Sequence, residues 1–132
     1  MLEFKYTILY VDDVSTTLDF YCKAFDFKIK FISPDNSYGE LNTGFATLSF
    51  ATKSHAKLHL KNGFIESNLT NKPFGIEIGF VTDNVEATIN QAIKSGAKIV
   101  EHPVTTSWGQ VIAYVRDPDG FLIEICTPIE TN

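Results

Sequence analysis

An internal repeat constrains the fold of this chain more than any other feature of its sequence. A β-branched and aromatic run at residues 6–11 is matched by a second run at residues 76–81. Residues 11–14 (Val-Asp-Asp-Val) correspond to residues 82–85 (Thr-Asp-Asn-Val) at the same offset that relates Tyr6 to Glu77. Such self-similarity indicates a duplicated unit, so the two halves are expected to fold alike.

The spacing of apolar side chains predicts one helix in each half, directly after the first strand. Acidic or amide residues at positions 12–13 and 83–84 provide the caps, and Gly96 is placed to end the second helix in a left-handed conformation. The apolar positions are Leu18, Tyr21, Cys22 and Phe25 in the first helix and Val85, Ile89, Ala92 and Ile93 in the second.

Three further strands are predicted after each helix. They cover residues 28–32, 38–41 and 45–51 in the first half and residues 97–101, 110–115 and 121–126 in the second. The clearest turn is Asp-Pro-Asp-Gly at residues 117–120, where proline sets the turn and Gly120 takes the positive φ. Each half is therefore predicted to be a βαβββ module.

These elements predict an α+β fold in one domain, residues 1–132. Module one covers about residues 1–51 and module two about residues 74–132. Each module alone leaves one sheet face uncovered, so we expect two curved sheets around a cleft, with the helices outside. The connector, about residues 52–73, has a length typical of a lid or binding loop, and a short helix is the alternative.

Composition excludes several classes of partner. Hydrophobic residues make up 44% of the chain, which is enough for a core, and the net charge is −5 with a single arginine. A nucleic-acid partner is therefore not expected. No apolar run has the length of a membrane span, and residues 1–5 lack the features of a signal peptide. Two cysteines, Cys22 and Cys126, predict small packing side chains rather than a disulfide framework, and the cytoplasm is the expected compartment.

The sequence resembles the vicinal oxygen chelate superfamily, the glyoxalase/bleomycin-resistance/dioxygenase group. Three segments carry the resemblance: residues 10–14 leading to Phe20-Tyr21, residues 81–85 leading to Gly96-Ala97, and Arg-Asp-Pro-Asp-Gly-Phe-Leu-Ile-Glu at residues 116–124. The resemblance implies a small-molecule cup between the modules. It also implies a homodimer, because such modules commonly pair or swap between chains.

The resemblance further implies up to four metal ligands, two from the first and last strands of each half. The corresponding residues are Tyr6, Leu48 (or Ser49 if the register slips by one), Glu77 and Glu124. Only Glu124 has the usual ligand type, and Glu77 stands where histidine is expected. The expected cofactor is therefore either none or a divalent metal ion held by Glu77 and Glu124.

Glu77 and Glu124 are the candidate catalytic residues on their own chemistry. Each carboxylate interrupts an apolar strand, where it is costly unless it is partnered, protonated or in a wet cavity. The repeat predicts that the two approach each other in the second sheet, where they would share a proton or bind a hard cation. Separate structural carboxylates are the alternative.

Further candidate ligand contacts are Tyr6, Tyr10 and Leu48 in the first half and Trp108 and Gln110 in the second. Tyr6 and Tyr10 share a strand face, and Trp108 lies at a strand entry, so packing is the alternative for all of them. His55 and His59 are four residues apart, as in helical metal pairs, but no third ligand is evident and solvated loop histidines are expected.

Three functions follow from these residues. The first is binding of a small organic molecule without the full metal-ligand set, in the manner of a bleomycin-resistance protein. The second is a divalent-metal-dependent lyase, isomerase or dioxygenase that uses Glu77 and Glu124. The third is a non-catalytic interaction module with a filled cup.

Overall fold

Each half of the chain forms a four-stranded mixed sheet with a helix packed on one side. The structure is a computed structural model and describes residues 1–129. The chain divides into two units, the first running from Met1 to Glu66 and the second starting at Ser67. The predicted α+β class and the tandem βαβββ order are confirmed.

The first unit has the sheet order β1-β4-β3-β2, in which β1 is parallel to β4 and the other neighbours are antiparallel. Strands β2, β3 and β4 form an antiparallel meander, and β1 pairs in parallel with β4. The two outer strands are therefore β1 and β2. The elements are β1 (Tyr6–Val11), α1 (Val14–Phe25), β2 (Lys28–Ile32), β3 (Tyr38–Asn42), β4 (Thr47–Thr52) and α2 (Lys53–His59).

The second unit repeats this topology as β5-β8-β7-β6, with β5 parallel to β8. Strand β6 (Lys98–Thr105) extends beyond the predicted residues 97–101, and two register shifts interrupt its pairing with β7 (Val111–Arg116). The elements are β5 (Glu77–Val81), α3 (Val85–Lys94), β6 (Lys98–Thr105), β7 (Val111–Arg116) and β8 (Leu122–Cys126).

Helix α1 lies close to its sheet because β3 carries a glycine beneath it. The helix begins after Asp13, whose carboxylate accepts a hydrogen bond from the Thr16 N–H at 2.9 Å. A Cβ at Gly39 would lie only 2.8 Å from Leu18 Cδ1. The missing side chain therefore makes room for Leu18 and Val14, which are both buried.

Three residues predicted on the buried helix faces are less buried than expected. Cys22 and Phe25 of α1 are half-buried. Ile93 of α3 is 43% exposed, whereas its neighbour Ala92 is completely buried. The buried stripe of α3 is thus narrower than the apolar pattern indicates, and Ile93 lies at its edge. The positive φ predicted for Gly96 is confirmed, at +119°.

The first part of the connector packs on the first unit and contains α2. Lys53 is almost buried and its Nζ lies 3.2 Å from Asp12 Oδ1 and 3.5 Å from Glu66 Oε1. The ring of Phe64 lies 4.8 Å from that of Tyr10, measured between centroids. Residues 53–66 therefore belong structurally to the first unit.

The second part of the connector is fixed to the β7–β8 turn. Arg116 donates hydrogen bonds to the carbonyl oxygens of Asn68 and Asn71 at 2.9 and 2.7 Å. Ser67 donates to the Asp119 carbonyl at 2.9 Å. Gly120 is required here, because its φ is +95° and a Cβ would lie 2.7 Å from the Asn68 carbonyl carbon. No helix within residues 1–129 is long and apolar enough to cross a membrane.

Candidate functional site

The strand register assigns the side chains of the second sheet to two faces. Glu77 is opposite Leu122, and Gly79 is opposite Glu124, so these residues share one face. Ile123 and Ile125 take the other face, which α3 covers, and both are completely buried. We call the face of Glu77 and Glu124 the open face of the second unit. By the strand register it comprises Glu77, Gly79, Val81, Ile112, Tyr114, Arg116, Leu122, Glu124 and Cys126.

Glu77 and Glu124 meet on this open face, as the repeat predicted. Partial burial and a hydrogen bond to the Glu124 carboxylate raise the pKa of Glu77 above its ordinary value of 4.5, and the negative charge of Glu124 acts in the same direction. Two carboxylates have no proton to donate to each other unless one of them is protonated. The raised pKa of Glu77 means that a proton held between the two carboxyl groups persists to higher pH than on an isolated glutamate.

Tyr114 completes this cluster from the neighbouring strand. It is directly opposite Glu124 in the β7–β8 pairing and its hydroxyl donates to Glu124 Oε2 at 3.2 Å. Burial, followed by the charges of Glu124 and Glu77, raises the pKa of Tyr114. Tyr114 consequently remains a neutral donor. Sequence reasoning missed this residue, although hairpin pairing across residues 117–120 is enough to place it opposite Glu124.

Cys126 also lies on the open face, two residues beyond Glu124. Burial and the neighbouring Glu124 charge raise the pKa of its thiol. Since the thiolate is the nucleophilic form, this environment opposes nucleophilic chemistry at Cys126. The thiol is a small packing group here, as the sequence predicted, and its Sγ lies 3.8 Å from the Phe80 carbonyl oxygen.

In the first unit the register differs by one residue from the main expectation. Ile8 is opposite Ser49, so Ser49 corresponds to Glu124. Leu48 shares its face with Leu41 beneath α1 and is only 6% exposed. The assignment of Leu48 to the ligand side of the sheet is therefore wrong, and the alternative residue, Ser49, takes that position.

The open face of the first unit has its own polar cluster. This face includes Tyr6, Ile8, Tyr10, Tyr38, Glu40 and Ser49. The Tyr38 hydroxyl donates to Glu40 Oε2 at 2.7 Å and lies 3.0 Å from Ser49 Oγ. Burial raises the pKa of Tyr38. Sequence reasoning missed Tyr38 and Glu40. Their i, i+2 spacing within a strand was the signal that both side chains share one face.

The predicted tyrosines of the first unit differ in accessibility. Tyr6 is 51% exposed on the open face. Tyr10 is half-buried, because the ring of Phe64 from the connector packs against it. Tyr6 is thus available to a ligand, whereas Tyr10 is partly occupied by an internal contact.

Trp108 and Gln110 form a separate feature in the loop between β6 and β7. The Trp108 indole N–H donates to Gln110 Oε1 at 2.9 Å, and Gln110 Nε2 donates to the Thr127 carbonyl at 2.9 Å. Trp108 is 68% exposed, while Gln110 is 9% exposed. Both line a cavity of about 370 Å³ in the second unit, together with Asp83, Gly109, Val111, Thr127, Pro128 and Ile129.

The residues at the four family-implied ligand positions do not form a complete metal site. They are Tyr6 and Ser49 in the first unit and Glu77 and Glu124 in the second. Neither tyrosine nor serine is a usual ligand for a divalent ion. Across residues 1–129, no group of three or more His, Cys, Asp and Glu side chains is arranged to hold a metal ion. The four-ligand set therefore does not fit this chain.

The two histidines of the connector lie on α2 rather than in a loop. Their rings pack against each other, with centroids 5.4 Å apart. Within residues 1–129, no further His, Cys, Asp or Glu side chain joins them in an arrangement that could hold a metal ion. His55 and His59 therefore form a surface ring pair on α2.

Comparison with known proteins identifies consistent similarities. The family model described as Glyoxalase-like domain matches residues 4–130. A virulence protein of Salmonella typhimurium, STM3117, is 28% identical over 123 residues, which cover 89% of this chain and 78% of the relative.

Solved structures show the same architecture. A glyoxalase-related enzyme from Fulvimarina pelagi superposes with a TM-score of 0.81 at 15% identity, covering 97% of this chain and 89% of that one. A glyoxalase/bleomycin resistance protein/dioxygenase family enzyme from Burkholderia phytofirmans gives 0.80 at 22% identity, covering 93% and 96%. At these identities the likeness concerns the fold.

Proposed function

Because the chain belongs to the family of glyoxalase-like domains, we propose that it binds a small organic molecule on the open face of its second unit. Glu77, Tyr114 and Glu124 are the recognising groups. The contact between the two carboxyl groups carries the proposal, because a structural carboxylate would normally have a cation or backbone amides as its partner. Among the described residues, no lysine or arginine pairs with Glu77 or Glu124.

The surroundings of the carboxyl pair suit a small organic ligand. Val81 on the same face is 64% exposed, and Ile112 and Leu122 are half-buried. Small-molecule sites commonly combine apolar walls with a few convergent polar groups. The carboxyl pair and the Tyr114 hydroxyl would accept and donate hydrogen bonds and so orient a ligand that carries both donors and acceptors.

A fragment screen by protein-observed NMR tests this proposal. We expect small polar fragments to shift the amide resonances of Gly79, Tyr114 and Glu124 in the wild-type protein. Glu124→Gln should weaken these interactions, since it removes the carboxyl group that pairs with Glu77 and with it one charge. Glu86→Gln on α3, an exposed position away from the sheet, is the matched control and should leave them unchanged. Fragments that bind wild type and Glu124→Gln equally, or none at all, would contradict the proposal.

Ligand binding is better supported than a metal-dependent lyase, isomerase or dioxygenase reaction. The donor set lacks two of the four implied ligands, because Tyr6 and Ser49 occupy those positions. Equilibrium dialysis against a divalent ion such as Mn²⁺, followed by elemental analysis, distinguishes the two. We expect no stoichiometric metal after chelator treatment. A retained ion that Glu124→Gln releases would favour the metal-dependent alternative.

We also propose that the chain forms a homodimer in the cytoplasm. The N-terminal segment and the outer strand β1 present apolar side chains to solvent, with Leu2, Phe4 and Tyr6 being 99%, 91% and 51% exposed. Exposed apolar surface of this kind often marks an interface. Both cysteines are free thiols, which suits a reducing compartment.

A further inference from the structure

The second unit contains a cavity whose charge is opposite in sign to that of the whole chain. Its volume is about 590 Å³, and it lies between the connector and β6. Three cations line it, Lys72, Lys98 and Arg116, and no acidic residue does. The chain as a whole has a net charge of −5. The cavity is thus positively charged, whereas the carboxyl site is acidic. None of Glu77, Tyr114 and Glu124 lines this cavity.

Two of these cations are directly opposite each other on neighbouring strands. The β6–β7 register pairs Lys98 with Arg116, so both side chains start from the same face of the sheet. Like charges in directly opposed positions destabilise a sheet. The pairing is therefore unfavourable for folding unless a negative group compensates for it.

Arg116 is the buried member of the cluster, with 9% of its surface exposed. Its guanidinium donates to three backbone carbonyl oxygens, those of Asn68, Asn71 and Gly120, at 2.7–2.9 Å. These contacts supply hydrogen bonds but no negative charge. Five N–H groups are available on a guanidinium, so two donors remain beyond these three bonds.

Lys72 and Lys98 are solvent-exposed at the cavity and also lack an acidic partner. Within residues 1–129, neither ammonium group forms an ion pair. Other lysines of the chain do form such pairs, for example Lys23 with Asp19 at 2.8 Å. The cavity therefore combines two exposed cations with one buried cation, and none of the three forms an ion pair with a residue in the described range 1–129.

The rest of the lining is largely apolar. Leu69, Ile99 and Val100 are 38%, 36% and 41% exposed, so their side chains remain accessible to a ligand. Pro73 adds a further apolar wall. An oxyanion alone would satisfy the cations but not this surface, whereas an oxyanion attached to an alkyl group would satisfy both.

We propose that this cavity is a second binding site, for a small organic anion that joins a carboxylate or phosphate head to an apolar body. The head would lie between Lys72, Lys98 and the guanidinium of Arg116. The apolar body would cover Leu69, Ile99 and Val100. This site is independent of the carboxyl pair, so each proposal stands if the other fails.

Matched six-carbon probes test the proposal by amide chemical-shift titration. Hexyl phosphate and hexanoate should both shift the resonances of Lys72, Lys98 and Ile99, and hexylamine should not. The comparison of the two anions shows which head the site prefers. Affinity should fall as salt concentration rises, because the interaction is ionic. Equal binding of hexylamine, or no shift with either anion at millimolar concentration, would overturn the proposal.

Variants of the exposed lysines avoid the folding role of Arg116. Lys72→Gln/Lys98→Gln should bind the anion about tenfold or more weakly, as expected for lost charge-assisted hydrogen bonds. Lys94→Gln on α3 is the control in the same unit and should bind like wild type, and Glu124→Gln should also retain the anion. Undiminished binding in the double variant would overturn the assignment.

Thermal unfolding gives a second, independent readout. Without an anion, Lys98→Gln should unfold at the same temperature as wild type or higher, since it removes like-charge repulsion opposite Arg116. Hexyl phosphate should raise the unfolding temperature of wild type more than that of this variant. A variant that is clearly less stable without an anion, or equally stabilised by it, would count against the site.

Discussion

At the scale of single residues, the proton of the Glu77–Glu124 pair makes stability depend on pH. The pKa of Glu77 is raised in the folded protein, so between the ordinary value of 4.5 and the folded pKa the folded state binds more protons than the unfolded state. Stability from this group is therefore present at low pH and is lost as pH rises through the folded pKa.

Glu77→Gln should remove this pH dependence. At neutral pH we expect the variant to be as stable as wild type or more stable, by less than about 1 kcal/mol because the pair is solvent-screened. Below pH 4.5 the advantage should disappear. Urea unfolding of both proteins between pH 4 and pH 8 measures the difference. A variant whose relative stability does not increase with pH would contradict the shared proton.

The Tyr38 cluster permits a similar test in the first unit. Tyr38→Phe removes the hydrogen bond to Glu40 and should lower the free energy of unfolding by about 0.5–1.5 kcal/mol. Tyr6→Phe on the same face is the control, because the Tyr6 hydroxyl makes no hydrogen bond with any described residue. Chemical denaturation should separate the two variants. Equal losses of unfolding free energy in the two variants would show that the Tyr38 hydrogen bond makes no net contribution to stability.

At the scale of secondary-structure elements, the β7–β8 turn depends on one glycine that the sequence identified. Gly120 and Gly109 have similar positive φ values, +95° and +90°, but only Gly120 has the Asn68 backbone against it. Gly109→Ala should therefore cost about 1–2 kcal/mol for the left-handed conformation alone. Gly120→Ala should cost about 1–3 kcal/mol more, because the new Cβ displaces the connector.

Thermal unfolding of the two variants measures that difference. Equal destabilisation would mean that the connector yields to the extra methyl group without loss. The anchoring of residues 67–71 by the β7–β8 turn would then be weaker than the contacts of Asn68 indicate.

The repeat predicted the elements well because strand and helix periodicity are local properties. Prediction from the sequence failed where long-range strand pairing determines the register or the length of a strand. The register of β4 against β1 is such a case, because the strand pattern of residues 45–51 fits either Leu48 or Ser49 on the ligand side. The length of β6 is another, since Pro103 lies in it and proline normally argues against a strand. As an outer strand, β6 has one side without ladder partners and tolerates proline there.

The candidate site was only partly predictable for the same reason. Glu77 and Glu124 interrupt apolar runs and so were visible in the sequence. Tyr114, Tyr38 and Glu40 become visible only after the hairpin registers are known. The cation cluster needed the connector to be placed as well. Lys72 lines the same cavity as Lys98, and Arg116 holds the adjoining connector residues Asn68 and Asn71.

At the scale of the whole molecule, the exposed N-terminal apolar segment leads to a prediction about assembly. Wild type should sediment as a dimer at micromolar concentration. Phe4→Asp should shift the equilibrium toward monomer, because a charge in an apolar interface is costly, while retaining the fold. Lys61→Gln, on an exposed turn, is the control. A monomeric wild type would contradict the homodimer.

The central claim is that the Glu77–Glu124 carboxyl pair recognises a ligand, and the side-chain carboxyl carbons report on it directly. We would follow their ¹³C resonances as a function of pH, with and without the tightest fragment from the screen. Glu77 should titrate above pH 4.5 in the free protein, and the fragment should change its titration midpoint. Ordinary titration of Glu77 that the fragment leaves unaltered would contradict ligand recognition by the carboxyl pair.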